Sequence, residues 1–251
     1  MPLDDTRAVL LDLGDTLVRA HPSWAGVYQQ GLREWGIEVD SDDLERALHA
    51  ATQSGAWSFE GPFEASEEAS FERVKEFDSA ALASLGYDDL DDAVFRSIES
   101  AFARASAWHV FPDVVPAVEA LSAAGLRLAV VSNWLWGGTE LIHTLELARL
   151  FDALIISAHV GYQKPHQRIF EHALEVLGAE PGTAIHVGDN YQADVVGARR
   201  VGIRPVLIDR RSADPARARS ELGEPELPVV RDLFELLDLL GIRRPAATRS
   251  A

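Results

Sequence analysis

Four short polar sequences of this chain combine the residue types that bind metal ions and phosphate. Residues 12–16 read DLGDT, Ser132 and Asn133 follow an apolar run, Lys164 lies in GYQKP, and residues 188–194 read GDNYQAD. Clustered carboxylates without a set of His and Cys ligands favour a hard cation such as Mg²⁺. A lysine and a hydroxyl beside that cation would bind a phosphoryl group. One of the aspartates could act as a nucleophile and form an acyl phosphate that water cleaves.

The lysine is informative because lysine is rare in this chain. Of 23 lysine and arginine residues, only Lys75 and Lys164 are lysines. Since the sequence otherwise uses arginine for positive charge, Lys164 is predicted to have a specific role.

The polar sequences lie at the ends of predicted β-strands. Apolar runs that are rich in Val, Ile and Leu and lack strict alternation are typical of strands buried on both faces of a parallel sheet. Helical patterns lie between these runs. Alternating strands and helices predict an α/β fold with a doubly wound parallel sheet, in which chemistry occurs at the carboxyl ends of the strands. The predicted strands are residues 7–11, 126–131, 153–156, 184–187 and 205–208, and the predicted helices are residues 113–124, 139–150, 167–177 and 194–201.

One long segment, residues 19–108, interrupts this alternation and shows only helical periodicity. We interpret it as a smaller, all-helical cap domain inserted after the first strand. Residues 1–18 and 109–244 would form the core, and residues 245–251 a disordered tail. An aromatic loop at residues 55–63, with Trp57 and Phe59, is predicted to control substrate access. The helices predicted in this segment are residues 24–35, 42–54, 67–85 and 91–108.

Composition and charge exclude several classes of protein. The net charge of −17 would repel the phosphates of nucleic acids and anionic lipid, so we expect neither a nucleic-acid nor a membrane partner. The chain has no cysteine, which excludes disulfides and thiolate catalysis. No apolar run is long enough to span a bilayer, and the N-terminus lacks the pattern of a signal peptide. We expect a cytoplasmic protein, monomeric or homodimeric, whose partner is a small phosphorylated molecule.

Taken in order, the four sequences resemble the four motifs of the haloacid dehalogenase-like (HAD) superfamily. The resemblance covers the core from about residue 7 to residue 210, and each motif follows a predicted strand. It implies a Rossmann-like core and a helical cap placed after the first strand, as in many members of the superfamily. It also implies a Mg²⁺-dependent hydrolase of the phosphatase type.

The resemblance assigns a role to each residue of the four motifs. Asp12 would be the nucleophile that forms an aspartyl-phosphate, and Lys164 would orient it and neutralise charge. Ser132 would bind a phosphoryl oxygen and take part in catalysis. The residues implied to bind substrate are Thr16, Ser132, Asn133 and Lys164, and those implied to hold the metal are Asp12, the Gly14 carbonyl, Asp189 and Asp194, the last directly or through water.

The first motif departs from the family pattern at one position. Phosphatases of the family carry a second aspartate two residues after the nucleophile, which protonates the leaving group and then activates water. This chain has Gly14 there, and Asp15 follows one place later. Because losing a general acid typically costs ~10²–10⁴ in rate, weak phosphatase activity is expected unless a residue such as His21 substitutes.

Three other functions stay open. A HAD fold with weakened catalysis could serve as a binding or regulatory protein, for which Gly14 is the evidence. Family phosphonate hydrolases also lack the second aspartate, but they need a cap lysine for a Schiff base, and Lys75 is the only candidate. Family haloacid dehalogenases need no metal and usually lack an acid like Asp189, so the complete GDNYQAD sequence argues against them.

Overall fold

A parallel β-sheet forms the centre of the fold. The computed structural model describes residues 3, 5–54, 61–211 and 214–245 of the chain. Six of the strands form this sheet, and the other two form a short antiparallel pair. The strands are β1 (Ala8–Leu11), β2 (Val18–Ala20), β3 (Trp108–Val110), β4 (Arg127–Ser132), β5 (Ala153–Ile156), β6 (Ala184–Gly188), β7 (Arg204–Ile208) and β8 (Val229–Val230).

The first strand lies in the middle of the sheet, whose order is β5-β4-β1-β6-β7-β8. It pairs in parallel with β4 on one side and with β6 on the other. Val9 and Leu11 belong to the core on one face, Ala8 and Leu10 to the core on the other, and all four are fully buried. Burial on both faces removes any need for polar alternation. The predicted doubly wound α/β fold is confirmed, and all five predicted strands are present.

Helices cover both faces of the sheet. One face packs against α5 and α11, and the opposite face against α8 and α9. The helices are α1 (Trp24–Arg33), α2 (Ser41–Gln53), α3 (Glu67–Ala83), α4 (Asp92–Phe102), α5 (Val114–Ala123), α6 (Gly138–Thr144), α7 (Ser157–Val160), α8 (Gln167–Leu177), α9 (Gly197–Arg200), α10 (Pro215–Leu222) and α11 (Leu233–Leu239).

Helices α1 to α4 begin at sequence signals that satisfy their first backbone N–H groups. Ser23, Asp40, Ser66 and Asp91 precede them, and each accepts a hydrogen bond from a backbone N–H in the first turn. Such N-caps typically stabilise a helix by ~0.5–2 kcal/mol. The apolar sides of α1 and α4 face each other and continue the core that covers one face of the sheet. These helices are therefore anchored to the strands that carry the site.

Some predicted helix boundaries are wrong. The prediction of only helical structure between residues 19 and 108 fails at both ends, because β2 and β3 pair there antiparallel. Three-residue strands are too short to show periodicity, and their partners are about 90 residues apart. The helix predicted for residues 91–108 ends at Phe102, and that predicted for residues 139–150 ends at Thr144. The helix predicted from Asp194 begins earlier, as a π-helical turn over Tyr191–Val196.

The proposed division into core and cap stays a prediction. Its boundaries at residues 18/19 and 108/109 fall within β2 and β3, which join the helical segment to the sheet. Most of the aromatic loop, including Trp57 and Phe59, and residues 246–251 of the predicted tail lie outside the described residues. Within the described ranges, no helix combines the length and apolar character needed to cross a membrane.

Candidate active site

The carboxyl ends of three adjacent strands bring the predicted residues together. Asp12 follows β1, Ser132 is the last residue of β4, and Asp189 follows β6. Because β1 lies between β4 and β6, these residues meet at one edge of the sheet, where parallel α/β folds bind ligands. Lys164 enters from the loop between α7 and α8, and Asp194 from the π-helical turn after β6.

Hydrogen bonds link four buried side chains at this edge. Lys164 Nζ donates to Oδ1 of Asp12 at 2.6 Å and to Oδ1 of Asp194 at 2.7 Å. Ser132 Oγ donates to the same Asp12 oxygen at 3.1 Å. Lys164 is 3% exposed and Asp194 is 1% exposed. A single buried cation is therefore shared between two carboxylates.

The charges of this group shift one another's pKa values. Burial alone would lower the pKa of Lys164, but the carboxylates of Asp12 and Asp194 raise it, so the lysine stays charged. Burial alone would raise the pKa of Asp194, but Lys164 and His186 hold it well below its ordinary value. Burial raises the pKa of Asp12, and Lys164 opposes that shift. Asp194 is therefore the permanent anion that keeps Lys164 in place.

A third carboxylate makes the site a candidate metal centre. One oxygen each of Asp12, Asp189 and Asp194 lie within 4.8 Å of one another. Asp189 is exposed at the surface of this cluster. Partial desolvation by the surrounding protein nevertheless raises its pKa, and the negative charges of Asp12, Asp194 and Asp15 add to the shift. Three carboxylates with one lysine leave excess negative charge, which a divalent cation would neutralise. The donor set therefore fits a hard, oxygen-binding metal ion.

Comparison with known proteins identifies the family. The model of the haloacid dehalogenase-like hydrolase family matches residues 6–202, a range that contains every residue of this cluster. The chain belongs to this family. It is 30% identical over 240 residues to haloacid dehalogenase-like hydrolase domain-containing protein 3 of Homo sapiens, which spans 93% of this chain and 94% of the human protein.

Two further relatives carry phosphatase names. Glyceraldehyde 3-phosphate phosphatase of Methanopyrus kandleri is 28% identical over 242 residues, covering 93% of this chain and 97% of that protein. The crystal structure of a HAD phosphatase from Thermococcus onnurineus matches with a TM-score of 0.63 and 26% identity, over 96% of this chain and 100% of that one. This chain is therefore a HAD-like hydrolase, and it is similar to phosphatases of the family.

In this HAD-like hydrolase, Asp194 is held from several directions. The backbone N–H of Asn190 donates to Asp194 Oδ2 at 2.9 Å, and His186 Nε2 lies 2.8 Å from Oδ1. A Cβ atom at Gly188 would overlap the Asp194 carboxylate, so only glycine leaves room for it. The π-helical turn shifts the register of the following helix, a feature often found at functional sites. Asp194 thereby reaches Lys164 rather than solvent.

Two residues predicted to bind substrate make contacts within the protein. The side chain of Asn133 donates from Nδ2 to the Lys164 carbonyl at 2.9 Å and accepts the Lys164 N–H at 2.7 Å. It thus fixes the backbone of the lysine. Thr16 is fully buried, and its Oγ1 has no hydrogen-bond partner among the described residues. Substrate binding by Thr16, Ser132, Asn133 and Lys164, and the Gly14 carbonyl as a metal ligand, stay predictions.

Two tryptophan side chains lie close to Gly14, the position at which phosphatases of the family carry the second aspartate. A Cβ atom at Gly14 would lie 3.3 Å from Cζ3 of Trp134 and 3.8 Å from Cζ2 of Trp24. Asp15 has a positive φ of 51°, and its Oδ2 accepts a 3.3 Å hydrogen bond from the Trp24 indole N–H. Two indole rings therefore occupy the space above residue 14. His21, the other candidate proton donor, is exposed. It does not line the large cavity that Trp24 and Trp134 border.

A cavity of about 1140 Å³ adjoins this end of the site. Asp15, Asn133 and Trp134 line its core side, and α1 to α4 supply the opposite walls. Its volume slightly exceeds the usual range for small-molecule pockets, which is about 300–1,000 Å³. A leaving group attached to a phosphoryl group at Asp12 could extend into this space.

Two polar residues of the core were missed by sequence reasoning. His186 is fully buried and contacts Asp194, and its signal was a polar residue inside the apolar run AIHV. Arg210 donates from Nε to the Thr16 carbonyl at 2.8 Å and forms two 3.0 Å hydrogen bonds to Asp113. Nothing near Arg210 in the sequence indicates that pairing, because Asp113 is about a hundred residues away.

Proposed function

We propose that this HAD-like hydrolase is a Mg²⁺-dependent phosphatase that acts on a small phosphorylated compound through an aspartyl-phosphate at Asp12. The observation that carries the proposal is the cluster of Asp12, Asp189 and Asp194 around the single cation of Lys164. Three carboxylates and a lysine at a strand edge suit phosphoryl transfer, which needs positive charge around the phosphate oxygens. The phosphatase names of two relatives support the same substrate class.

In the proposed reaction, an oxygen of Asp12 attacks the phosphorus atom. An O–P bond forms, the bond from phosphorus to the leaving-group oxygen breaks, and the leaving group departs as an anion with the electron pair and then takes a proton from solvent water. Water then attacks the phosphorus, loses a proton to solvent, and releases inorganic phosphate while Asp12 is restored as a carboxylate. Lys164 and Ser132, which hold Asp12 Oδ1 before the reaction, fix its orientation and offer donors to the phosphoryl oxygens.

The metal ion would be held by Asp12 and Asp189, with Asp194 and the Gly14 carbonyl as further oxygen ligands. When bound, Mg²⁺ supplies positive charge that offsets the charge on the phosphoryl oxygens. Asp194 also keeps Lys164 protonated through their hydrogen bond.

Contacts at Lys75 argue against a phosphonate hydrolase. Lys75 Nζ lies 2.6 Å from Asp92 and 3.6 Å from Glu72, and it does not line the cavity formed by the described residues. The hydrogen bond to Asp92 raises the pKa of Lys75, whereas an amine that forms a Schiff base needs a lowered pKa. The acidic cluster likewise argues against a metal-independent dehalogenase.

A second candidate function is binding without turnover. Residue 14 carries no acid, and a side chain added there would lie 3.3 Å from Trp134, tighter than an ordinary contact. A protein with this arrangement could retain phosphorylated ligands and hydrolyse them slowly.

Hydrolysis of p-nitrophenyl phosphate and acetyl phosphate, with and without Mg²⁺, tests the proposal, with Asp12→Asn as the blank. We expect slow, Mg²⁺-dependent hydrolysis of both, because their leaving groups depart readily as anions, and much slower hydrolysis of alkyl phosphates. Binding of inorganic phosphate without hydrolysis of any substrate would favour the binding function.

Substitution of Gly14 sharpens this test. Gly14→Asp should raise the alkyl phosphate rate by up to ~10²–10⁴ if Trp134 moves by a few tenths of an ångström. Gly14→Ala adds the same Cβ atom without an acid and serves as the matched control. Equal rates for alkyl and acyl phosphates in the wild-type protein would contradict the absence of a general acid.

We further propose that residues 19–108 act as the cap and that the protein works in the cytoplasm as a monomer or homodimer. The net charge of −17 supports a small-molecule substrate rather than nucleic acid or a lipid surface.

A further inference from the structure

The helical side of the cavity carries a buried carboxylate that is separate from the acidic cluster. Asp78 of α3 lines the cavity next to Tyr28 of α1, and only 1% of the residue is exposed. The Tyr28 hydroxyl donates to Asp78 Oδ1 at 2.6 Å. Within the described part of the chain, no ion pair to Asp78 is present, and the charged neighbour that acts on it, Glu99, is another acid. A buried carboxylate without a cation is costly unless a proton or a ligand neutralises it.

The protonation of Asp78 is poised near neutrality. Burial raises its pKa to about 7, the charge of Glu99 raises it further, and the hydrogen bond from Tyr28 opposes the shift. Burial and the Asp78 charge together raise the pKa of Tyr28 well above its usual range, so the phenol remains a donor. A cation in the cavity would favour the carboxylate form of Asp78.

The cavity extends from Asp78 to residues that are next to the candidate active site in the chain. Asn133, which directly follows Ser132, lines the core side of the same cavity. Apolar side chains such as Phe77, Ile98 and Phe102 line the helical side. A molecule with a phosphoryl group at Asp12 and an apolar middle would thus have its far end near Asp78.

We infer that Asp78 forms a subsite for a primary ammonium group on the leaving group of the substrate. The inference rests on the proposed phosphatase function and narrows its substrate class to small phosphate esters with an amine at the far end. Asp78 accepts a charge-assisted hydrogen bond from the ammonium group at Oδ2, while Tyr28 donates to Oδ1 and does not contact the ligand. This role differs from a purely structural one, in which the Tyr28–Asp78 hydrogen bond only joins α1 to α3.

Three aryl phosphates of equal size test the subsite. They are 4-(aminomethyl)phenyl, 4-(hydroxymethyl)phenyl and 4-ethylphenyl phosphate, whose leaving groups depart without much proton transfer. In the wild-type protein with Mg²⁺, kcat/KM for the amine should exceed that for the ethyl compound by about tenfold to a hundredfold, mainly through KM. The hydroxymethyl compound should fall between them.

Two variants separate recognition from structure. Asp78→Asn and Tyr28→Phe both alter the same hydrogen bond, but only Asp78→Asn removes the carboxylate. The preference for the amine should fall to near unity in Asp78→Asn and persist in Tyr28→Phe. Asp89→Asn, which removes an exposed acid that does not line the cavity, controls for net charge.

Three outcomes would overturn the inference: equal use of the three substrates, a preference for the hydroxymethyl compound, or loss of the preference in both variants. If no aryl phosphate is hydrolysed, the proposed phosphatase function fails, and calorimetric binding of 4-(aminomethyl)phenol and 4-ethylphenol then tests the subsite alone. Tighter binding of the amine by wild-type protein than by Asp78→Asn would support the subsite, and equal binding would contradict it.

Discussion

Two clusters of buried charge near the β-sheet differ in how completely their charges are paired. Arg210 meets Asp113 with two hydrogen bonds of 3.0 Å, and the backbone N–H of Leu233 donates to the same carboxylate at 2.7 Å. In the other cluster, Lys164 faces both Asp12 and Asp194, and Asp189 adds a third carboxylate within 4.8 Å. One cluster is balanced, and the other carries excess negative charge.

The difference separates structural charge from functional charge. A bidentate guanidinium–carboxylate pair neutralises the charges of both partners and gives both carboxylate oxygens a donor, so it leaves no net charge to attract a ligand. A compact lysine ammonium shared by several carboxylates leaves oxygen atoms available and negative charge to be neutralised. Arg210 and Asp113 are therefore interpreted as a structural pair that joins the loop after β1 to α5 and α11, and the Lys164 cluster as the reactive site.

The largest expected effect comes from the nucleophile. Asp12→Asn should lower kcat for p-nitrophenyl phosphate by roughly 10⁴-fold or more, because no other group forms the covalent intermediate. The free energy of unfolding should change little or rise, because Lys164 keeps Asp194 as its partner while the site loses one negative charge. Steady-state kinetics and urea unfolding of the same preparation measure both quantities. A large loss of stability would show that Asp12 is structural.

Breaking the balanced pair should produce the opposite pattern. Arg210→Met leaves Asp113 buried without its cation and should lower the free energy of unfolding by about 3–5 kcal/mol. Activity per folded molecule should fall far less than in Asp12→Asn. Arg217→Met, which removes an exposed i,i+4 pair with Glu221, is the matched control and should cost about 0.5 kcal/mol or less. Similar costs for the two variants, measured by urea unfolding, would contradict the structural role.

Asp78 extends the comparison to a buried acid without a cation. Because its pKa is raised from 3.8 to about 7 in the folded protein, the folded state holds a proton that the unfolded state releases between these values. The contribution of this proton to the free energy of unfolding is fully present below about pH 4 and is lost as the pH rises through 7. Relative to Asp78→Asn, the wild-type free energy of unfolding should fall by about 2–3 kcal/mol between about pH 5 and pH 8. Urea unfolding of both proteins across this range measures the difference, and parallel pH profiles would contradict it.

The smallest expected effect tests how Asp194 is positioned. Gly188→Ala would force the Asp194 carboxylate away from its partners and should cost about 1–3 kcal/mol of stability, with a loss of Mg²⁺ affinity measured by calorimetry. Gly182→Ala, at a position with open space around the new methyl group, is the control. Unchanged Mg²⁺ binding in Gly188→Ala would mean that Asp194 has no part in holding the metal.

The sequence alone determined five of the six strands of the sheet and the identity of the motif residues, whereas the two-residue edge strand β8 was not predicted. Strands buried on both faces appear in the sequence as continuous apolar runs, so β1, β4, β5, β6 and β7 could be predicted from these runs. The edge of a parallel sheet collects whatever follows its strands, so Asp12, Ser132 and Asp189 could be predicted to meet. Both predictions are local, because each depends only on the residues of a strand and on those that directly follow it.

Only the tertiary structure decided which side chains pair. The contacts of Tyr28 with Asp78 and of Arg210 with Asp113 join residues about 50 and 100 positions apart. The antiparallel pair of β2 and β3 likewise joins segments about 90 residues apart. Hydrogen bonds of this kind form only where packing of the helices brings two buried polar groups together. Such long-range contacts leave no periodic pattern in the sequence. The same reason applies to Gly14. The sequence shows that an acid is missing at this position, and only the folded structure shows that the indole rings of Trp134 and Trp24 lie next to it.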